Sequence, residues 1–286
     1  VHVEPDMVLG GNGSDELMVM IAGAFVEPGR NAITARHTFS QYTFATTVFG
    51  GEMRYVEMQD GRFDLPAMAA GVDEETRLIF LCNPNNPTST MFTHRELSAL
   101  MREVPDHVVV VVDEAYGEFA ENPDYPDALD LLGHHPNLIR LRTFSKIYGL
   151  AALRVGYATA QPELIRLVAG LRQPFNVGTV SQQAATAALL DEEFLNQTKS
   201  VISRGRTQLC AALDRLYVPY FPPQANFVCG HFGPRASEIV NGLAERGVAV
   251  RPLNSFGLPE YIRISVGTEK ETTMLANSLA AVLGQG

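Results

Sequence analysis

The sequence predicts an α/β fold: a mostly parallel central sheet with helices on both faces, followed by a smaller C-terminal α+β domain. Three observations predict it. Short β-branched runs alternate with longer amphipathic stretches through the first two-thirds of the chain. The five consecutive valines at 108–112 suit a strand buried on both faces, as in a parallel sheet covered by helices. From about Gln173 the texture changes to long helical stretches with short strand candidates between them. A chain of 286 residues has room for two domains at roughly 150 residues each, and the expected division is 1–175 for the larger and 176–286 for the smaller.

Taken in order, Val8-Leu9 leads into Gly10-Gly11-Asn12-Gly13. Leu17, Met18, Ile21, Ala24 and Phe25 then recur at helical spacing until Pro28-Gly29 stops them. Further strands are expected at 31–35, 54–57, 78–82, 108–112, 138–141 and 155–158. In the smaller domain, helices are expected at 183–196, 200–216 and 238–246, and strands at 227–229, near 248–251 and at 262–266. Pro219-Tyr220-Phe221-Pro222-Pro223 reads as a surface connection.

Composition narrows the function. Hydrophobic residues make up 46% and charged residues 19%, an ordinary globular balance that excludes collagen-like and low-complexity chains. Lys and Arg number 22 against 32 Asp and Glu, a net charge of −10, so the surface as a whole repels phosphate backbones and anionic lipid. No nucleic-acid or membrane partner is expected, and an anionic ligand needs a local basic pocket. Cys82, Cys210 and Cys229 are widely spaced, with no CxxC pair and no neighbouring His, so no metal site is expected. With no apolar stretch long enough to span a bilayer and no leader-like opening, a cytoplasmic location is expected. The chain opens on Val1 with a glycine loop in its first dozen residues, so an upstream segment is expected to be missing.

Polar residues gather after the strands: Asn83-Pro84-Asn85-Asn86-Pro87 after 78–82, Asp113-Glu114-Ala115-Tyr116 after the valines, and Ser145-Lys146 after 138–141. In an open α/β sheet that edge is where ligands sit. Gly11-Asn12-Gly13-Ser14-Asp15-Glu16 begins like a dinucleotide fingerprint, but Glu16 stands at the third glycine position and would repel a pyrophosphate. The loop can still hold one phosphate on helix amides with Ser14 as N-cap and donor, or Ser14 can simply cap the helix. Lys146 is either a solvated surface residue or, among apolar neighbours that ease its neutralisation, a Schiff-base nucleophile. Ser145 and Arg154 would flank an anion. A lysine for an aldehyde and an arginine for a phosphate suggest pyridoxal phosphate, which also needs a carboxylate facing its pyridine nitrogen. Asp113 suits that place, at the end of a buried strand where it needs a cationic partner. Tyr116 and Asn86 could both donate to the ring's phenolic oxygen. Read blandly, Asp113 is a helix cap and Asn-Pro a turn.

The ordered set GNGSDEL, NPNNPT, DEAY, TFSK with an arginine eight residues after the lysine, and RISVGT resembles the fold-type-I aminotransferases of the histidinol-phosphate aminotransferase subfamily, across essentially the whole chain. The resemblance implies pyridoxal 5′-phosphate held by Lys146 as an aldimine in a ping-pong cycle, with Lys146 also shuttling a proton. It implies Asp113 on the pyridinium, Asn86 and Tyr116 on the phenolic oxygen, and Phe39 stacked on the ring. Gly13, Ser14, Asp15, Ser145 and Arg154 would surround the phosphate. Arg263 would clamp a substrate carboxylate and Arg251 would read the phosphate of histidinol phosphate, with Asn86 beside them. The implied reactants are histidinol phosphate and 2-oxoglutarate, and the implied assembly is a homodimer. An aromatic amino acid such as phenylalanine is the rival donor. Decarboxylation of a phosphorylated amino acid, and a non-enzymatic nucleotide-binding module, are rivals of a different class. Ser89 stands where the family's NPTG would have glycine, and Ile147 is bulkier than the small residue often found after the lysine. Family members also begin with an upstream arm that carries a substrate-contacting tyrosine.

Overall fold

The valine run lies at the centre of a seven-stranded sheet. The structure is a computed structural model that describes residues 3–284; Val1 and Gly286, the outer bounds of the expected domains, lie outside the described residues. In chain order the elements are β1 (Val8–Gly11), α1 (Gly13–Phe25), β2 (Asn31–Ala35), α2 (Gln41–Val48), β3 (Glu52–Val56), α3 (Leu65–Ala70), β4 (Thr76–Cys82), α4 (His94–Glu103), β5 (Val109–Asp113), β6 (Leu138–Thr143), β7 (Gly156–Ala160) and α5 (Pro162–Ala169). There follow α6 (Thr179–Leu190), α7 (Glu192–Arg215), β8 (Phe227–His231), α8 (Ala236–Ala244), β9 (Arg251–Pro252), β10 (Tyr261–Ser265) and α9 (Glu269–Leu283).

The large sheet runs β1-β7-β6-β5-β4-β2-β3. β2 to β6 pair in parallel, while β7 is antiparallel to both β6 and β1. The mostly parallel expectation is therefore met. Every residue of β2 and β5 is buried, as strands covered by helices require. Around them an apolar cluster joins Leu17, Met18 and Ile21 of α1 to Leu78–Leu81 and Val109–Val112. A second sheet, β8-β10-β9, is antiparallel throughout and packs its own cluster, including Leu209, Val228, Ile239, Ile262 and Leu279.

Several element bounds differ from expectation. The break between the two long helices falls at Asp191, not at 197–199, because the Asp191 carboxylate caps α7 by accepting the Phe194 N–H at 2.9 Å. The strand near 248–251 shrinks to Arg251–Pro252 at the edge of the small sheet. The proline-rich segment is more than a surface connection: Tyr220 bridges Gly230, and Phe221 stacks on Tyr261 with ring centres 5.2 Å apart.

Candidate active site

Register brings the carboxyl ends of three strands together, since Cys82 lies opposite Asp113 and Asp113 opposite Leu141. The loops after β4, β5 and β6 therefore leave from one edge. The start of α1 joins them because β1 continues the sheet beyond β7. A cavity of about 160 Å³ opens there, lined by Ser14, Asp15, Phe39, Asn86, Asp113, Tyr116, Ser145, Lys146 and Arg154, with Cys82, Ala115, Thr143 and Ala151 completing the wall.

Asp113 is buried at one end. Its Oδ2 accepts the Tyr42 hydroxyl at 2.8 Å and its Oδ1 the Ala115 N–H at 3.1 Å. Burial pushes its pKa up to about 6, against the pull of these two hydrogen bonds and the Lys146 charge. Among the described residues the donors that hydrogen-bond the carboxylate are neutral, and the expected cationic partner is the pyridinium of a ligand. An acid held this way is suited to a cation that arrives with a ligand. Lys146 Nζ lies 5.1 Å from the centre of the Tyr116 ring. Burial lowers the lysine pKa, and Asp113 offsets part of that shift. Burial also raises the Tyr116 hydroxyl, which keeps its proton as a donor.

At the other end Arg154 takes a left-handed backbone (φ 51°) and aims its guanidinium across the start of α1. Nη2 donates to Asp15 Oδ2 at 3.1 Å and Nη1 lies 3.4 Å from Ser145 Oγ. Gly13 has φ 78°, and a Cβ there would run into this guanidinium. The glycine therefore keeps open a cradle of helix amides and one arginine. Two expectations are corrected at this end. The N-cap is Asn12, with no side-chain bond, and Ser14 is inside the first turn. Glu16 is absent from the cavity wall; it folds back to accept the Asn12 N–H at 2.6 Å and Asn176 Nδ2 at 2.7 Å.

A second, more open cavity of about 450 Å³ shares Phe39, Asn86, Tyr116 and Lys146 with the first and adds Ser40, Arg251, Ser255, Phe256 and Arg263. Arg263 and Arg251 face each other across the β10–β9 pair. Arg263 Nη1 donates to Asn86 Oδ1 at 2.5 Å, its guanidinium lies 5.0 Å from the centre of the Phe227 ring, and its Nε is buried without a partner among the described residues. Burial lowers its pKa, Tyr116 opposes that shift, and Arg251 adds to it. Two adjacent guanidiniums and an orphaned N–H make a site for anions.

Sequence reasoning missed the supporting residues. Tyr42 approaches Asp113 from α2, 71 residues away in the chain. Thr38 Oγ1 donates to Asn85 Oδ1 at 2.7 Å and Asn85 Nδ2 to the His37 carbonyl at 3.0 Å, tying the Phe39 loop to the Asn86 loop. No local pattern marks either contact.

Comparison with known proteins agrees with this architecture. The histidinol-phosphate aminotransferase 2 of Pseudomonas fluorescens is 42% identical over 285 residues, which is 100% of this chain and 77% of that protein. The protein of the same name from Methylococcus capsulatus is 44% identical over 287 residues, covering 98% of this chain and 77% of its own. The crystal structure of histidinol-phosphate aminotransferase from Sinorhizobium meliloti in complex with pyridoxal-5′-phosphate superposes with a TM-score of 0.92 at 30% identity, covering 99% of this chain and 78% of that one. Residues 1–279 match the family of class I and II aminotransferases, and to that family the chain belongs.

Proposed function

We propose that this protein is a pyridoxal-phosphate aminotransferase that passes an amino group between histidinol phosphate and 2-oxoglutarate. One observation carries the proposal: a single cavity sets a lysine of lowered pKa between a buried acid held by neutral hydrogen-bond donors and an arginine beside a helix N-terminus. Pyridoxal 5′-phosphate fits these residues. Ser145, Arg154 and the backbone amides of Gly13, Ser14 and Asp15 would hold its phosphate, Asp113 its pyridine nitrogen, Asn86 and Tyr116 its phenolic oxygen, Phe39 its ring face and Lys146 its aldehyde. When bound, the cofactor supplies an electron sink for the pair of electrons left at the substrate's Cα.

The protein's own groups do the rest. Desolvation eases deprotonation of Lys146 Nζ, so with the cofactor bound the free amine would serve as the base that takes the Cα proton and hands it on to the cofactor's C4′ carbon rather than back to Cα. Tyr116 and Asn86 would orient the ring. Arg263 and Arg251 bind the anionic ends of the two reactants in turn, a phosphate ester in one half-reaction and a dicarboxylate in the other. The names of the relatives support histidinol phosphate over an aromatic amino acid, whose carboxylate the same guanidiniums would also bind.

The two sheets with separate apolar clusters support a larger cofactor-binding domain at 1–175 and a smaller one at 176–286. The functional unit is a homodimer, a reading supported by the exposed Phe175, Val180 and Leu190 around the start and end of α6. The three unpaired cysteines fit a cytoplasmic location, and among the described residues no helix is long and apolar enough to cross a membrane.

Purified holoprotein should absorb visible light, and Lys146→Ala should abolish both the band and transamination. Steady-state rates with histidinol phosphate should exceed those with phenylalanine. A colourless wild type, or turnover of phenylalanine alone, would overturn the proposal.

A further inference from the structure

Ser89 holds a backbone conformation that suits glycine: φ is 65°, and the residue is fully buried. A side chain in this region is strained, so a serine there calls for a compensating contact. Its hydroxyl makes two. Oγ accepts the N–H of Ala225 at 2.9 Å and that of Gln224 at 3.2 Å, while the Gln224 N–H also reaches the Ser89 carbonyl at 2.8 Å. Gln224 in turn accepts the N–H groups of Glu121 and Asn122 through its Oε1, at 3.0 and 3.2 Å.

These bonds sit between the two parts of the anion site. Ser89 belongs to the loop that carries Asn86, and Ala225 leads directly into β8, which pairs with β10 so that Cys229 lies opposite Arg263. Arg263 closes the circuit by donating to Asn86. A path of short links, buried at Ser89 and Ala225 and part-buried at Arg263, thus runs from Asn86 through Ser89 and Ala225 to β8, β10 and back to Asn86. We propose that Ser89 is a positioning residue for the substrate's anionic group: its Oγ fixes where the small sheet, and with it Arg263, stands relative to Asn86. A glycine could keep the φ and the carbonyl contact but leaves the Ala225 N–H without its acceptor. This inference rests on the reading of Arg263 as the anion clamp.

The test uses full-length holoenzyme in three variants, Ser89→Gly, Ser89→Ala and Arg263→Ala. Both Ser89 variants should raise KM for 2-oxoglutarate and for histidinol phosphate about fivefold, the size of one ordinary hydrogen bond, with kcat within about twofold of wild type. Their melting temperatures should differ, because glycine relieves the backbone strain and alanine does not, whereas their KM values should agree. A purely structural role predicts KM that is unchanged or that follows melting temperature, and either result overturns the inference. Arg263→Ala separates the two levels. If it raises KM while the Ser89 variants do not, only the role of Ser89 fails. If it leaves KM unchanged in an active enzyme, the clamp reading fails and this inference falls with it.

Discussion

Asp113 is a carboxylate whose charge the fold alone does little to favour. Its pKa of about 6 reflects burial first, and the Tyr42 hydroxyl is the strongest of the contacts that hold it down. An acid whose folded pKa lies above its unfolded value, roughly 4, adds stability that is complete below pH 4 and is lost as pH rises through about 6. Tyr42→Phe removes a donor to the ionised form and pushes the folded pKa higher still. In cofactor-free protein the variant should therefore cost more at pH 8 than at pH 4.5, by about 1.5–3 kcal/mol, the worth of a hydrogen bond to a charged group. Urea unfolding at the two pH values reads this difference directly, and an equal cost at both would mean that Tyr42 does not set the charge of Asp113. Cys82, whose thiol burial pushes up to about 12, stays neutral beside them and cannot mimic the effect.

One residue further along the end of β5, Glu114 holds an ion cluster. It accepts Arg140 Nε at 2.7 Å, Arg142 Nη1 at 3.1 Å and the Ala128 N–H at 2.9 Å, while Arg142 also pairs with Glu118. Arg140 and Arg142 share one face of β6 because alternate strand residues do. Glu114→Gln removes the carboxylate shared by two guanidiniums that are 2% and 13% exposed, leaving Arg140 with Asp127 and Arg142 with Glu118, and should destabilise the protein by about 3 kcal/mol in urea at neutral pH. The more exposed pair Arg62–Glu96 is the contrast: glutamine can still close the capping box that Glu96 makes with Thr93, so Glu96→Gln should cost no more than about 1 kcal/mol. The same elements mark what the sequence could reveal. Asn86, Asp113 and Lys146 were legible because each follows a strand end and its chemistry admits few residue types. The Glu114 cluster was not, since its arginines lie 26 and 28 residues away and a charged residue inside a strand reads as ordinary alternation. The Tyr42 contact depends on the register of α2, which no spacing encodes. The start of α7 was misjudged because Asp191 is one of several polar residues able to cap there, and only packing chooses among them.

The two sheets carry separate apolar clusters, joined by a smaller one of Tyr116, Phe119, Ile147, Ala225 and Phe227 and by buried polar groups around it. One of these polar groups is the guanidinium of Arg206 on α7, a residue 6% exposed. Its Nη1 donates to the Phe119 carbonyl at 3.0 Å and to the Ala225 carbonyl at 3.1 Å, and its Nη2 pairs with Glu121 Oε2 at 2.6 Å. One guanidinium thus grips the turn after Tyr116 and the residues that enter β8. Arg206→Met keeps the apolar stem and removes the fork, leaving two carbonyls without this donor. The cost should be about 3 kcal/mol in urea, from charged hydrogen bonds lost in a buried place. Location makes the prediction sharper than size. The large sheet keeps its own core, so native-state hydrogen exchange should quicken in β8 and β10 and leave β5 close to wild type. A uniform loss of protection across both sheets would mean that they unfold as one unit and that Arg206 contributes only overall stability. A loss confined to the small sheet would show that the substrate arginines sit on a part of the molecule free to open while the cofactor end of the site stays formed.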